Sequence, residues 1–193
     1  MSIDPKTYPS NLSALLNDAN EMASTISAKL NSNSCPTINS FYYELHKTCG
    51  AKPEYSIRRD KKAFNDLGYD PNVNSGKFKS KNEFKGLYVF GEEVKGKINP
   101  VYVGISRTVY RRLRQHGFGK KHNECTLAYL MAKHENEKLT RVICTNNILQ
   151  PKKEVIRKYK LVLYPVLDDY KLYFYEVALA GIFKTKWNSF RTH

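Results

Sequence analysis

The stretch GLYVFGEEVKGKINPVYVG, Gly86 to Gly104, decides how this chain is read. Gly86-Leu87-Tyr88-Val89-Phe90 is an unbroken apolar and aromatic run of strand composition, and Pro100-Val101-Tyr102-Val103-Gly104 is a second. Between them Glu92 to Asn99 is polar and contains Gly96, so the two runs predict a hairpin. Downstream, a helix is expected from about Thr108 to His116. Another is expected from about Asn123 to Glu135, with Leu127, Leu130 and Met131 inward. Residues 140–158 read as helix broken at Pro151. Lys160 to Leu167 (KLVLYPVL) reads as a third strand and Asp168 to Phe183 as a closing helix. This order predicts an α+β unit, with a small mixed or antiparallel three-stranded sheet flanked by helices.

Upstream of the hairpin the pattern is helical. Leu12, Leu15, Leu16, Ala19, Met22, Ile26 and Leu30 recur near the 3.6-residue period, which predicts a helix over 11–31 with Ser10 as its N-cap. NSNSCPTINS (31–40) is a polar connection, and a short helix over Phe41–Thr48 ends near Gly50. LGYDPNVNSGKFKSKN (67–82) is the best boundary in the chain. The division is therefore a mainly helical N-terminal extension, 1–82, and a second domain, 83–193.

Composition narrows the class. The chain has 193 residues, 41% of them hydrophobic, which suits a folded domain rather than a disordered one. No apolar run approaches the ~20 residues that span a bilayer, and the first residues lack the basic start of a signal peptide. Cys35, Cys49, Cys125 and Cys144 show no CxxC spacing, so reduced cysteines and a cytoplasmic location are expected. The net charge is +14, and its distribution is uneven. Residues 85–193 hold 21 Lys/Arg and 9 Asp/Glu, a net of +12 (21 − 9), against +2 (11 − 9) for residues 1–84. An excess of this kind attracts a polyanion, most commonly nucleic acid.

The candidate chemistry lies in one constellation. Tyr88 and Tyr102 sit on adjacent strands of the hairpin. Arg112 follows Tyr102 by ten residues and His116 by fourteen, and the two share a helix face as i and i+4. Glu176 falls on the last helix and Asn188 lies twelve residues beyond it. Singly, each has an ordinary role: strand tyrosines pack, a helical glutamate is solvated, and a histidine before Gly117 can answer a helix dipole. Arg107, Arg111 and Arg114 rival Arg112 as phosphate contacts, as do Lys120 and Lys121 in the loop Gly117-Phe118-Gly119-Lys120-Lys121. That loop does not have Walker spacing. His46, His122 and His134 show no metal spacing. Tyr42, Tyr43, Tyr173 and Tyr175 could pack or stack on bases, and Arg58-Arg59-Asp60-Lys61-Lys62 could touch DNA or stay solvated.

Taken together, the residues resemble the GIY-YIG nuclease family over about 85–193. The name motifs stand here as Gly86-Leu87-Tyr88 and Tyr102-Val103-Gly104, and Arg112, His116, Glu176 (in YEVALAGIF) and Asn188 (in KWNSF) match the remaining signature in order and spacing. Leucine and valine replace the family's two isoleucines at Leu87 and Val103, keeping apolar strand positions. The resemblance implies metal-dependent hydrolysis of DNA, duplex rather than RNA. Tyr88 would serve as general base and Glu176 as ligand to a single Mg²⁺ or Mn²⁺. Arg112 would offer its donor fork to the scissile phosphate. His116 would take or relay a proton from near-neutral pKa, Tyr102 would orient the water or Tyr88, and Asn188 would fix the tail against the site.

No DNA-binding segment is evident after Asn188, so a type II-like restriction or phage-defence enzyme is the expected role. A homodimer is expected with it, since one site cuts one strand. A structure-specific repair or recombination nuclease, and a binding module that has lost activity, are the alternatives.

Overall fold

The computed structural model describes residues 11–49 and 85–190, with side chains omitted at 45–49. The boundary segment 67–82, Arg58 to Lys62, Ser10 and the predicted helix end at Gly50 lie outside the described residues.

The hairpin is longer and tighter than its polar middle suggests. Strands β1 (Gly86–Val94) and β2 (Lys97–Ser106) run through the expected turn, and only Lys95 and Gly96 reverse the chain. Both take positive φ, +52° and +76°, which suits a two-residue turn between right-twisted strands. Ile98 anchors this projecting end, its backbone N–H donating to Asn31 Oδ1 at 3.2 Å. β3 (Lys160–Pro165) pairs with β1 on the other side, giving an antiparallel sheet of order β2-β1-β3.

Because β1 is central, its alternation sorts side chains into two cores. Tyr88 and Phe90 join Val101, Leu161 and Leu163 on one face, and Leu87 and Val89 join Val103 and Val162 on the other. The pairing slips between Phe90 and Gly91, leaving Val101 as an extra residue on β2. Pro100, which has no N–H to give a ladder, sits at this bulge. The bulge brings Val101 and Tyr102, consecutive in sequence, onto the same core.

Helices cover both faces. The first core is closed by α2 (Ile38–Cys49), α3 (Val109–Phe118), α4 (Thr126–Glu135) and α5 (Asn146–Lys158). The second is closed by α1 (Leu12–Leu30) and α6 (Asp169–Phe183). The α+β class read from the sequence is the observed one, and the sheet is wholly antiparallel. Helices α1 and α2, assigned to an N-terminal extension, share the cores of the 83–193 unit. Tyr175 on α6 also donates to Asp18 on α1 at 3.0 Å.

Details of the helices differ from expectation for local reasons. Asn11 caps α1, accepting from the N–H of Ala14. Helix α4 begins three residues late because Glu124 accepts from the N–H groups of Lys120 and Lys121, holding that segment as a turn. Helix α5 is not broken at Pro151: the proline forfeits one hydrogen bond, and burial of Leu149 and Ile156 on the inner face holds the helix through it. Among the described residues no helix is long and apolar enough to cross a membrane.

Ile26 of α1 is fully buried against the sheet. Ile26→Ala is expected to cost about 2–4 kcal/mol in urea unfolding, as for other buried aliphatic truncations. A loss below about 0.5 kcal/mol would mean that α1 is dispensable to the fold.

Candidate active site

The site starts from an unusually close approach within the hairpin. Tyr88 and Gly104 are directly opposed, and the Tyr88 ring lies on the glycine. A Cβ at position 104 would stand 2.3 Å from Tyr88 Cζ and 2.4 Å from its hydroxyl oxygen. The glycine of Tyr102-Val103-Gly104 is therefore the seat of the first tyrosine. Phe90 stacks on Tyr102 at 5.7 Å between centroids, and the Tyr88 and Tyr102 rings are 6.1 Å apart.

Helix α3 brings His116 onto this floor. The imidazole is fully buried, with Tyr88, Phe90 and Tyr102 each 5.6 Å away. Its Nε2 and the Tyr88 hydroxyl are 2.9 Å apart and share a hydrogen bond. Its Nδ1 has no partner among the described residues. Burial, and then the nearby Arg112 charge, pull the His116 pKa well below its usual value of 6.5. The near-neutral pKa expected from sequence is thus corrected: this histidine is neutral at physiological pH. Burial and the neighbouring Tyr102 push the Tyr88 phenol well above 10, while the Arg112 guanidinium pulls the other way.

Arg112, one turn before His116, is held in place by three acceptors. Its guanidinium donates to Thr126 Oγ1 at 2.6 Å, to the Glu124 carbonyl at 3.1 Å and to Gln115 Oε1 at 3.4 Å. Glu176 approaches from α6. Burial raises its pKa from 4.5 to about 7, and among the described residues no cation reaches its carboxylate.

Glu176 opens on a cavity of about 520 Å³, shared with Tyr102, His122, Thr126, Arg141 and Asn188. Tyr88, only 1% exposed, lies behind Tyr102 and does not line it. The phenol that faces the cavity is therefore Tyr102, the reverse of the order expected from sequence. Burial raises the Tyr102 pKa, and Arg112 opposes that rise.

Asn188 ties the tail to the free edge of β2. Its amide accepts from the Val103 N–H at 2.8 Å and donates to the Val103 carbonyl at 2.7 Å, much as a paired strand residue would. Thr185 also donates to its Oδ1. With both amide atoms engaged, Asn188 is a positioning residue. The other predicted cations are peripheral. Arg107 pairs with Asp169 at 3.4 Å, Arg111 and Arg114 lie on the exposed side of α3, and Lys120 and Lys121 are exposed on the loop before α4. Of the tyrosines, Tyr42 and Tyr175 are core, while Tyr43 and Tyr173 are exposed.

Two lining residues, Thr126 and Arg141, escaped the sequence reading. Neither belongs to a periodic pattern or motif, and each reaches the site only because α4 packs into the first core beside α3 and α5. For a divalent ion, Glu176 is a fitting donor: a hard, desolvated carboxylate without a counter-charge, facing open space where water and phosphate oxygens complete a shell. Among the described residues no cluster of three or more His, Cys, Asp or Glu offers a closed cage. Comparison with protein-family models, characterised proteins and solved structures finds no match to this chain.

Gly104→Ala is expected to destabilise by about 1–3 kcal/mol, because the buried Tyr88 ring has no room to yield. An unchanged urea midpoint would show that the ring is not fixed there. Glu176 gives a pH signature. The folded protein holds its proton to about pH 7, whereas an unfolded chain releases it near 4.5. Between those values the unfolded state binds fewer protons, so stability falls as pH rises and the loss is complete above the upper value. Glu176→Gln should gain on wild type by about 1–2 kcal/mol across that window, after discounting for partial exposure. A pH-independent difference in unfolding would contradict the desolvated carboxyl.

Proposed function

We propose that this protein is a metal-dependent DNA endonuclease of the GIY-YIG type, hydrolysing a phosphodiester in the cavity between Tyr102 and Glu176. The observation that supports this most is the 2.9 Å Tyr88–His116 hydrogen bond, formed beside a fixed guanidinium and opposite an uncompensated carboxylate. Structural tyrosine–histidine contacts are common, but this one sits behind a phenol lining a cavity that also holds Glu176. The strongly basic 85–193 region suits a polyanionic substrate.

The residues divide the work as follows. Arg112 places fixed donors beside the scissile phosphate, where negative charge builds as water adds to phosphorus. The Tyr102 hydroxyl meets the attacking water. A proton leaving that water passes to the Tyr102 oxygen while Tyr102 gives its own to Tyr88, and Tyr88 in turn hands one to His116 Nε2. This relay uses the imidazole tautomer with its proton on Nδ1. Both phenols stay neutral before and after the transfer, and the proton comes to rest on His116 as a transient imidazolium, the step that runs against its lowered pKa. A divalent ion held by Glu176 would supply charge neutralisation at the phosphate and at the departing 3′ oxygen. Glu176 must be ionised for that role, so cleavage should rise with pH through about 7. A restriction or phage-defence role, which requires both strands to be cut, calls for two such sites and hence two copies.

The test is supercoiled plasmid with Mg²⁺ and with chelator. Glu176→Ala is expected to abolish metal-dependent cleavage while leaving DNA binding within about twofold. Tyr102→Phe and Tyr88→Phe should each slow cleavage about 10²-fold or more, with the fold intact. If Tyr88→Phe cuts at the wild-type rate, the relay is wrong. If the wild type cuts no nucleic acid with any divalent ion, the enzyme reading falls.

A further inference from the structure

The connection between α4 and α5, residues 136–145, carries a feature that the hydrolytic machinery does not use. Arg141 lines the same cavity as Glu176 and Tyr102. Its guanidinium is exposed, and among the described residues no acid pairs with it. The next two residues are apolar and face water: Val142 is 94% exposed and Ile143 is 54% exposed. Phe190, on the tail, is 55% exposed and also lines the cavity.

This tip is held at both ends. Leu139 is buried and its N–H donates to the Asn136 carbonyl, while Cys144 packs against the first core. A fixed turn that leaves two β-branched side chains in water, next to an unpaired arginine, spends hydrophobic surface that the fold itself does not recover. Single exposed apolar residues are ordinary on any surface. Here Phe190 and Arg141 line one cavity, and Val142 and Ile143 follow directly on that arginine. An occupant that meets all of them offers both negative charge and an apolar face. A nucleotide does so through its phosphate and its base.

We propose that Arg141, Val142 and Ile143, together with Phe190, form the substrate-reading element of this site. Arg141 holds a phosphate neighbouring the scissile one, and the apolar side chains receive a base that has left its stack. Resting on the endonuclease reading above, this assigns a substrate class: DNA locally open or unpaired at the cut, preferred over a fully stacked duplex. Apolar wedges beside basic groups unstack DNA in this way, and the cost of unstacking is lowest where pairing is already broken.

Binding and cleavage are measured separately. A duplex carrying 2-aminopurine beside an internal bubble, and the same sequence fully paired, are bound to Glu176→Gln protein without metal. The expected result is brighter 2-aminopurine on binding, by about threefold or more, because an unstacked base is less quenched. Val142→Ser with Ile143→Ser should remove that rise and weaken bubble binding about fivefold or more. Arg141→Ala should weaken binding to both duplexes and reduce the salt dependence by about one phosphate contact. Wild-type protein with Mg²⁺ should cut the bubble about tenfold faster than the paired duplex. Equal fluorescence with and without the Val142 and Ile143 changes overturns the proposal, as does equal cleavage of the two duplexes. A protein that unstacks the base but cuts nothing instead overturns the endonuclease reading and leaves the reading element standing.

Discussion

The Tyr88 ring rests on Gly104 at the centre of the hairpin, and the rest of the site is registered against that contact. It places a phenol inside the sheet's first core, where α3 can meet it with His116. It is possible only because the opposing strand has no side chain at that point. Two residues back, Tyr102 opposes Phe90 on the same face, so two tyrosines on different strands converge, and the bulge at Pro100 and Val101 adds Val101 to that core. A regular ladder would still oppose Tyr102 to Phe90, but it would send Val101 to the opposite face.

Charge is arranged around this floor by burial. The innermost group, His116, is neutral because ionising it would cost too much among aromatic rings. Arg112 rests on a carbonyl, a hydroxyl and an amide oxygen, and among the described residues no carboxylate pairs with it. Glu176 stands across the cavity with no cation to ease its desolvation. Among the described residues the site thus has one uncompensated carboxyl group and an arginine without an acidic partner.

The sheet that carries the site is shielded on both sides. Without α1, Leu87, Val89, Val103 and Val162 would lose their cover, and Tyr175, next to Glu176 on α6, would lose its hydrogen bond to Asp18. The N-terminal helices are therefore part of the body that carries the candidate site. Sequence periodicity found α1 readily, yet periodicity describes a face and not what the face is packed against. That is why α1 read as an appendage. Likewise the polar stretch Glu92–Asn99 read as a loop, because solvent-exposed strand ends carry loop-like composition.

The sequence by itself determined the order of the described elements, the buried alternation of β1, and the pairing of Arg112 with His116 on one helix face, since all follow from local period and spacing. Only the tertiary structure decided that Tyr102 and not Tyr88 faces the cavity, that His116 is neutral, that Asn188 is spent on the edge of β2, and that Arg141 joins the site. Each depends on burial or on contact between segments far apart in the chain, and neither is written in the spacing of residues along one strand or helix.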